Sequence, residues 1–247
     1  MSIHAQQALL AQIAGILPAL AGRVEPVPCR QLDLAASLLE HWQRAQPAAG
    51  RAYWTARSWS MLIWQPAYLS VLTVHCGGQV LDLAGMQQVC TEGSTAGFTL
   101  PPQQPMTGET GVLLQHAAAG LLAYRQAQLP QLQAIQPYSA HQASCLMVDC
   151  VLSALQLAGS TLGWPATTEE WWAGQWLGAL QLTRHGRLMR IEVEPGRCRT
   201  ALERQGCCQH FRIPGAVACS TCPRWPLPER LQLIRQEWQH TQSCICA

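Results

Sequence analysis

No lysine occurs among the 247 residues; all sixteen basic side chains are arginine, so positive charge is carried wholly by guanidinium groups. Charged residues of both signs amount to only 12%, against 49% apolar, which leaves helices to be buried over a wide face. The motifs H-E-x-x-H, G-x-S-x-G and the Walker loop are missing, which removes the common metallohydrolase, serine-hydrolase and nucleotide-hydrolysing chemistries. A G-x-G-x-x-G fingerprint is missing too, so a self-bound dinucleotide or flavin is not expected. Nothing has helix-turn-helix or zinc-finger spacing, and the late arginines are interleaved with Glu192, Glu194, Glu203 and Glu229, so no nucleic-acid partner is expected. The first residues have no basic n-region, and Gln6, Gln7 and Gln12 interrupt their apolar run, unlike a secretory leader. The most apolar run, 61–74, is broken by Gln65-Pro66 and is too short to span a bilayer. The expected setting is reducing and cytoplasmic, with thiols free or metal-bound; peripheral attachment to the inner membrane from the cytoplasmic side would leave no mark of this kind.

What charge there is lies unevenly. From Arg184 onward ten Arg face five Glu; before it six Arg face nine acids, so the C-terminal end is the basic one. Along the chain, 2–22 reads as an amphipathic helix, 32–46 as a second, and 47–50 as a break. The stretch 51–64 carries Trp54, Trp59 and Trp64, and Pro66 suits the first turn of a separate helix over 67–76. Glycine-punctuated apolar runs over 80–100 predict two or three strands. Helices are expected again over 109–134, kinked at Pro130, and over 140–158, opened by Ser139 and Gln142 at capping-box spacing. Thr167 and Glu170 form a second such box, starting a helix through Leu180. Residues 188–194 alternate as a half-buried strand, with Leu188, Arg190, Glu192 and Glu194 outward, and Pro195-Gly196 leads on from it. A last helix runs from Pro228 to about Thr241. The fold class is α+β and mostly helical: a helical core, a small antiparallel sheet and a C-terminal cysteine-rich segment. The natural division is 1–195 and 196–247, packed as one domain.

Four of the twelve cysteines fall within sixteen residues: Cys207-Cys208, ten intervening residues with a Pro214-Gly215 turn, then Cys219-x-x-Cys222. Thiolates in such a set suit zinc or an iron–sulfur cluster. The Cys-x-x-Cys half fits a structural zinc site, because a tight turn aims both sulfurs at one ion. The adjacent pair does not, since neighbouring side chains diverge; a two-iron centre offers them two metals. Arg204, His210, Arg212 and Arg224 flank the set and would favour the reduced, more negative form of such a centre, tuning its potential.

With the flank R-Q-G-C-C-Q-H-F-R-I-P-G and the closing C-S-T-C-P, the segment resembles the FhuF-type ferric-siderophore reductases. A weaker likeness reaches 187–194 and the tryptophan-bearing 51–66. The resemblance implies a 2Fe–2S cluster held by Cys207, Cys208, Cys219 and Cys222, and one-electron reduction of a ferric siderophore. Iron would be released as Fe(II), which hydroxamate or catecholate oxygens hold far less well than Fe(III). Electrons would come from a separate ferredoxin, flavodoxin or flavoprotein reductase docking at the basic C-terminal face. The rival from another class is an iron–sulfur or structural-zinc regulatory or binding protein without reductase activity.

Most of the ten Trp read as packing: Trp54, Trp59 and Trp64, five apart, spiral around a helix, and Trp171, Trp172 and Trp176 pack on both sides of a buried one. Trp225 is the candidate for a contact near the cluster, and Arg51 and Arg57 for an anionic siderophore. His141 and Cys145 sit at i, i+4, more in keeping with a buried pair than a second metal site. Cys29, Cys76, Cys90 and Cys198 read as small buried hydrophobes, and Cys244 and Cys246 as a frayed tail.

Overall fold

A single helix too apolar to face water organises the molecule. In the computed structural model, which describes residues 2–26 and 33–245, that helix is α3, Gly50–His75. It follows α1 (Ser2–Ile16), β1 (Gly22–Val24) and α2 (Leu34–Ala45), and its side chains are buried nearly all round because α2, α4 (Thr110–Ile135) and α5 (Ala140–Leu162) pack against it. Polar residues caught in α3 are answered internally: Gln65 donates to the carbonyls of Ala19 and Gly97 at 3.0 and 3.2 Å, and Thr73 to Leu69 at 2.7 Å.

The expected break at Pro66 is absent, and Gly50–His75 is one continuous helix. Proline in a helix interior costs about 3 kcal/mol, and burial of Leu62, Ile63, Leu69 and Leu72 on several neighbours at once outweighs it. The first helix, in contrast, stops early. Leu17, held extended before Pro18, ends α1 at Ile16, and a 3-10 turn over Pro18–Leu20 leads into β1.

The sheet is in pieces. β3 (Gln87–Thr91) pairs antiparallel with β4 (Ser94–Leu100), which pairs in parallel with β1; β2 (Gln79–Val80) and β5 (Met106–Thr107) form a short antiparallel bridge. α5 is capped by Ser139, which accepts from the Gln142 N–H, and runs past Gly159 to a left-handed Gly163. By length and hydropathy it alone among the described helices would cross a membrane, but 61% of its apolar window is buried inside the fold. α6 (Ala166–Ala179) starts after Pro165 with no side-chain cap, so the Thr167–Glu170 box does not form. Trp176 of α6 is fully buried while Trp171 is 57% exposed, so this helix is not buried on both sides.

β6 (Gly186–Glu194) turns at Pro195-Gly196 and pairs antiparallel with β7 (Arg197–Arg204), a strand the sequence reading passed over. The hairpin has two buried faces. Leu188 packs inward on the helical core, against expectation, whereas Ile191 and Ala201 meet Ile234 of α7 (Leu227–Ile245), one residue earlier in start than expected and longer. The 195/196 division falls at the hairpin turn, and Gln156 of α5 ties β7 to the core by donating to the Thr200 carbonyl at 2.7 Å. Cys198, on β7, is exposed rather than buried; Cys76 and Cys90 are half-buried. Cys29 and Cys246 lie outside the described residues, as does the Cys244 side chain.

Candidate metal centre

β7 delivers the chain to the cysteines. Its last residue, Arg204, is anchored by Asp149 of α5, whose Oδ2 accepts from Nε at 2.7 Å; the side chains are only 13% and 8% exposed. Gly206 then lets the backbone pass against α5, where an added Cβ would sit 2.5 Å from the Cys145 Cβ. Gln142, freed from any capping box, donates its side-chain amide to the Cys207 carbonyl at 2.6 Å. Three long-range contacts thus place the first pair of cysteines.

The loop then folds back on its own sulfurs. Gln209 adopts a left-handed φ of 62°, and its N–H lies 3.4 Å from Cys207 Sγ, while the His210 N–H bonds to the Cys208 sulfur. A 3-10 turn over His210–Arg212 follows. Pro214-Gly215 closes a turn in which the Ala216 N–H reaches the Ile213 carbonyl at 3.0 Å, with Gly215 at φ 79°, a conformation glycine allows. The Cys-x-x-Cys turn closes with the Cys222 N–H on the Cys219 carbonyl at 3.0 Å. Cys222 is buried at 2% exposure, and Cys207, Cys208 and Cys219 are half-buried.

The sulfurs meet two and two: Cys208 hydrogen-bonds Cys219, and Cys207 hydrogen-bonds Cys222. Donation from the Cys219 thiol, with the His210 N–H and Arg204, holds Cys208 below the ordinary thiol range, whereas that same shared proton raises Cys219. Among the described residues, no three His, Cys, Asp or Glu side chains gather as ligands of one ion. Two pairs of sulfurs suit a centre with two metals better than one tetrahedral zinc. The arrangement is chemically ready for it, because a metal displaces the shared thiol protons.

Residues 204–224 match the family model described as the FhuF 2Fe–2S C-terminal domain. The segment is similar to the cluster-binding segment of the FhuF family. The match spans the four cysteines from Arg204 to Arg224, and the FhuF-type set Cys207, Cys208, Cys219 and Cys222 fits a 2Fe–2S cofactor. No solved structure matches the chain.

The flanking cations divide into two groups. Arg204 touches the FhuF-type set directly, with Nη1 3.5 Å from Cys219 Sγ. His210 offers its backbone to Cys208, and its ring lies 6.5 Å from Tyr53. Arg212 and Arg224 instead place their guanidinium carbons 5.6 and 4.2 Å from the Phe211 ring centre, and Arg212 Nε bonds Gln209 Oε1 at 2.9 Å. Trp225 is tied to the Cys-x-x-Cys turn through its backbone N–H on the Cys222 carbonyl at 3.1 Å. Arg57 lies over Trp42, its guanidinium carbon 5.1 Å from the ring centre. His141 Nε2 is 3.6 Å from Cys145 Sγ, but only Cys145 is buried, packed behind Gly206; His141 is exposed, so the two are not the buried pair expected. Asp149 and Gln142 escaped sequence reasoning: a lone acid in an apolar helix was the one available signal for Asp149, and Gln142 was assigned to a cap.

Proposed function

We propose that this chain is a ferric-siderophore reductase working by single electrons. The observation that carries the reading is the FhuF-type cysteine set near the protein surface, three of its residues only partly buried and one, Cys222, buried as an anchor. A 2Fe–2S cluster, when bound there, exchanges one electron at a time with a molecule outside the chain. The protein supplies the setting. Arg204 and the N–H groups of Gln209 and His210 aim positive charge at the sulfurs and offset the negative charge that reduction adds. The substrate needs nothing more than an electron, since Fe(II) is held far less tightly than Fe(III) by hydroxamate or catecholate oxygens. A ferredoxin, flavodoxin or flavoprotein reductase is the source, with the basic C-terminal face as its approach, and the work is done in the cytoplasm.

The test is a sequence of two measurements. Anaerobically purified protein should be red-brown, bleach with dithionite, and contain about two irons and two sulfides per chain. Mixed with a ferric siderophore, the reduced protein should pass Fe(II) to a ferrous-specific chelator. A colourless zinc protein removes the reading; a cluster that reoxidises with no Fe(II) released leaves an iron–sulfur protein of another kind.

A further inference from the structure

A cleft of about 500 Å³ opens between α3, α5 and the end of β7. Trp64 and Tyr68 form one wall, and Leu146, Ser153, Asp149 and Arg204 contribute others. We propose that this cleft is where the ferric chelate docks, with the Arg204 guanidinium as the partition between it and the cysteine sulfurs. The proposal rests on the reductase reading and adds the substrate's place and charge class.

Three observations carry it. Arg204 lines the cleft and also lies 3.5 Å from Cys219 Sγ, so an occupant sits one guanidinium away from the electron source. The aromatic wall is set in advance: the Trp64 indole N–H donates to Thr95 Oγ1 at 2.7 Å, the Trp64 and Tyr68 rings meet edge to face at 5.8 Å, and Ser153 hydrogen-bonds Tyr68. Preset walls cost little ordering when a bulky apolar ligand enters. Finally, the two charges in the lining, Asp149 and Arg204, are opposite and already paired at 2.7 Å. The cleft therefore presents no net charge. A neutral chelate loses nothing there, whereas a trianionic one is desolvated without a counter-charge.

A second cleft, of about 420 Å³, is the natural competitor. It lies beside the first cysteine pair, and Arg51, Gln136, Gln142 and Gln209 give it more hydrogen-bonding side chains than the first, alongside Tyr138.

The experiment plugs each cleft in the cluster-loaded protein. Ser153→Trp and, separately, Ser60→Phe fill the first; Ala52→Trp fills the second. The visible spectrum reports the cluster and the fold in each variant. Binding is read with the gallium(III) form of a neutral trihydroxamate, which cannot be reduced, and turnover with the iron(III) form. Either plug in the first cleft should weaken gallium-chelate binding and raise KM by about tenfold or more, with reoxidation by ferricyanide unchanged. A ferric tricatecholate should show a KM at least about tenfold above the neutral chelate in the unsubstituted protein. Unchanged binding in both first-cleft variants, or loss of binding in Ala52→Trp instead, overturns the proposal. Plug-sensitive gallium binding without any Fe(II) release keeps the docking site and sinks the reductase reading.

Discussion

Arg204 and Asp149 form an ion pair at 2.7 Å with 13% and 8% of their side chains exposed, and the same guanidinium reaches Cys219 Sγ. Burial pushes the Asp149 carboxyl up to about 6 in spite of Arg204, and among the described residues nothing bonds its Oδ1. Breaking the pair from one side strands a buried charge. Arg204→Met should cost about 3–5 kcal/mol in urea unfolding, and adding Asp149→Asn should recover much of that loss. Arg204→Lys should unfold less readily than Arg204→Met. With a cation removed from beside the sulfurs, the reduction potential should fall by tens of millivolts, where about 59 mV is a tenfold change for one electron. Redox titration checks it, and an unchanged potential in Arg204→Gln would sever the guanidinium from the cluster's energetics.

The cysteines should separate cleanly into two groups. Serine at 207, 208, 219 or 222 should abolish or sharply deplete iron and the visible absorbance, since each sulfur is half of one of the two pairs. Serine at Cys76, Cys90 or Cys198, which are half-buried or exposed and lie outside the motif, should leave iron content unchanged. Iron and sulfide analysis of the seven variants settles the ligand set, and Cys208→Ser with full iron is the result that would remove it.

Gly206 and Gln142 test how the first pair is placed. Gly206→Ala drives a methyl to 2.5 Å from the Cys145 Cβ, and overpacking of this kind costs about 1–3 kcal/mol. Gln142→Leu removes the donor at 2.6 Å from the Cys207 carbonyl, at about 1–3 kcal/mol. Both changes should shorten the cluster's lifetime in air and lower iron retention through a desalting column. Gln142→Glu should behave like the leucine variant, because a carboxylate cannot donate to the carbonyl.

The ligand segment was readable because its chemistry is local: four sulfurs, a Pro-Gly turn and a Cys-x-x-Cys turn lie within sixteen residues. What positions it was not. Asp149 meets Arg204 across 55 residues and Gln142 meets Cys207 across 65, and no periodicity encodes such partnerships. The α3 error has a similar cause. Pro66 is a strong local stop signal, and the packing of α2, α4 and α5 that overrides it is tertiary. Leu188 misled because alternation assumes one wet face, whereas this hairpin buries one side on the helical core and the other on α7.

His75, at the end of α3, offers a pH test independent of the cluster. Its ring lies 5.1 and 4.6 Å from Trp164 and Trp172, and its Nε2 accepts the Trp176 indole N–H at 2.9 Å. Burial lowers its pKa from 6.5 to about 4. The unfolded chain then holds more protons than the folded one between those values, so stability contributed by neutral His75 is present above pH 6.5 and is lost as pH falls toward 4. The full swing corresponds to about 3 kcal/mol. His75→Gln, which keeps an acceptor for the indole and cannot titrate, should be the less stable protein at pH 7 and should gain on the unsubstituted chain by about that amount by pH 4. Urea midpoints across this range measure the difference, and parallel curves for the two proteins would show that His75 is protonated as freely in the fold as in the open chain.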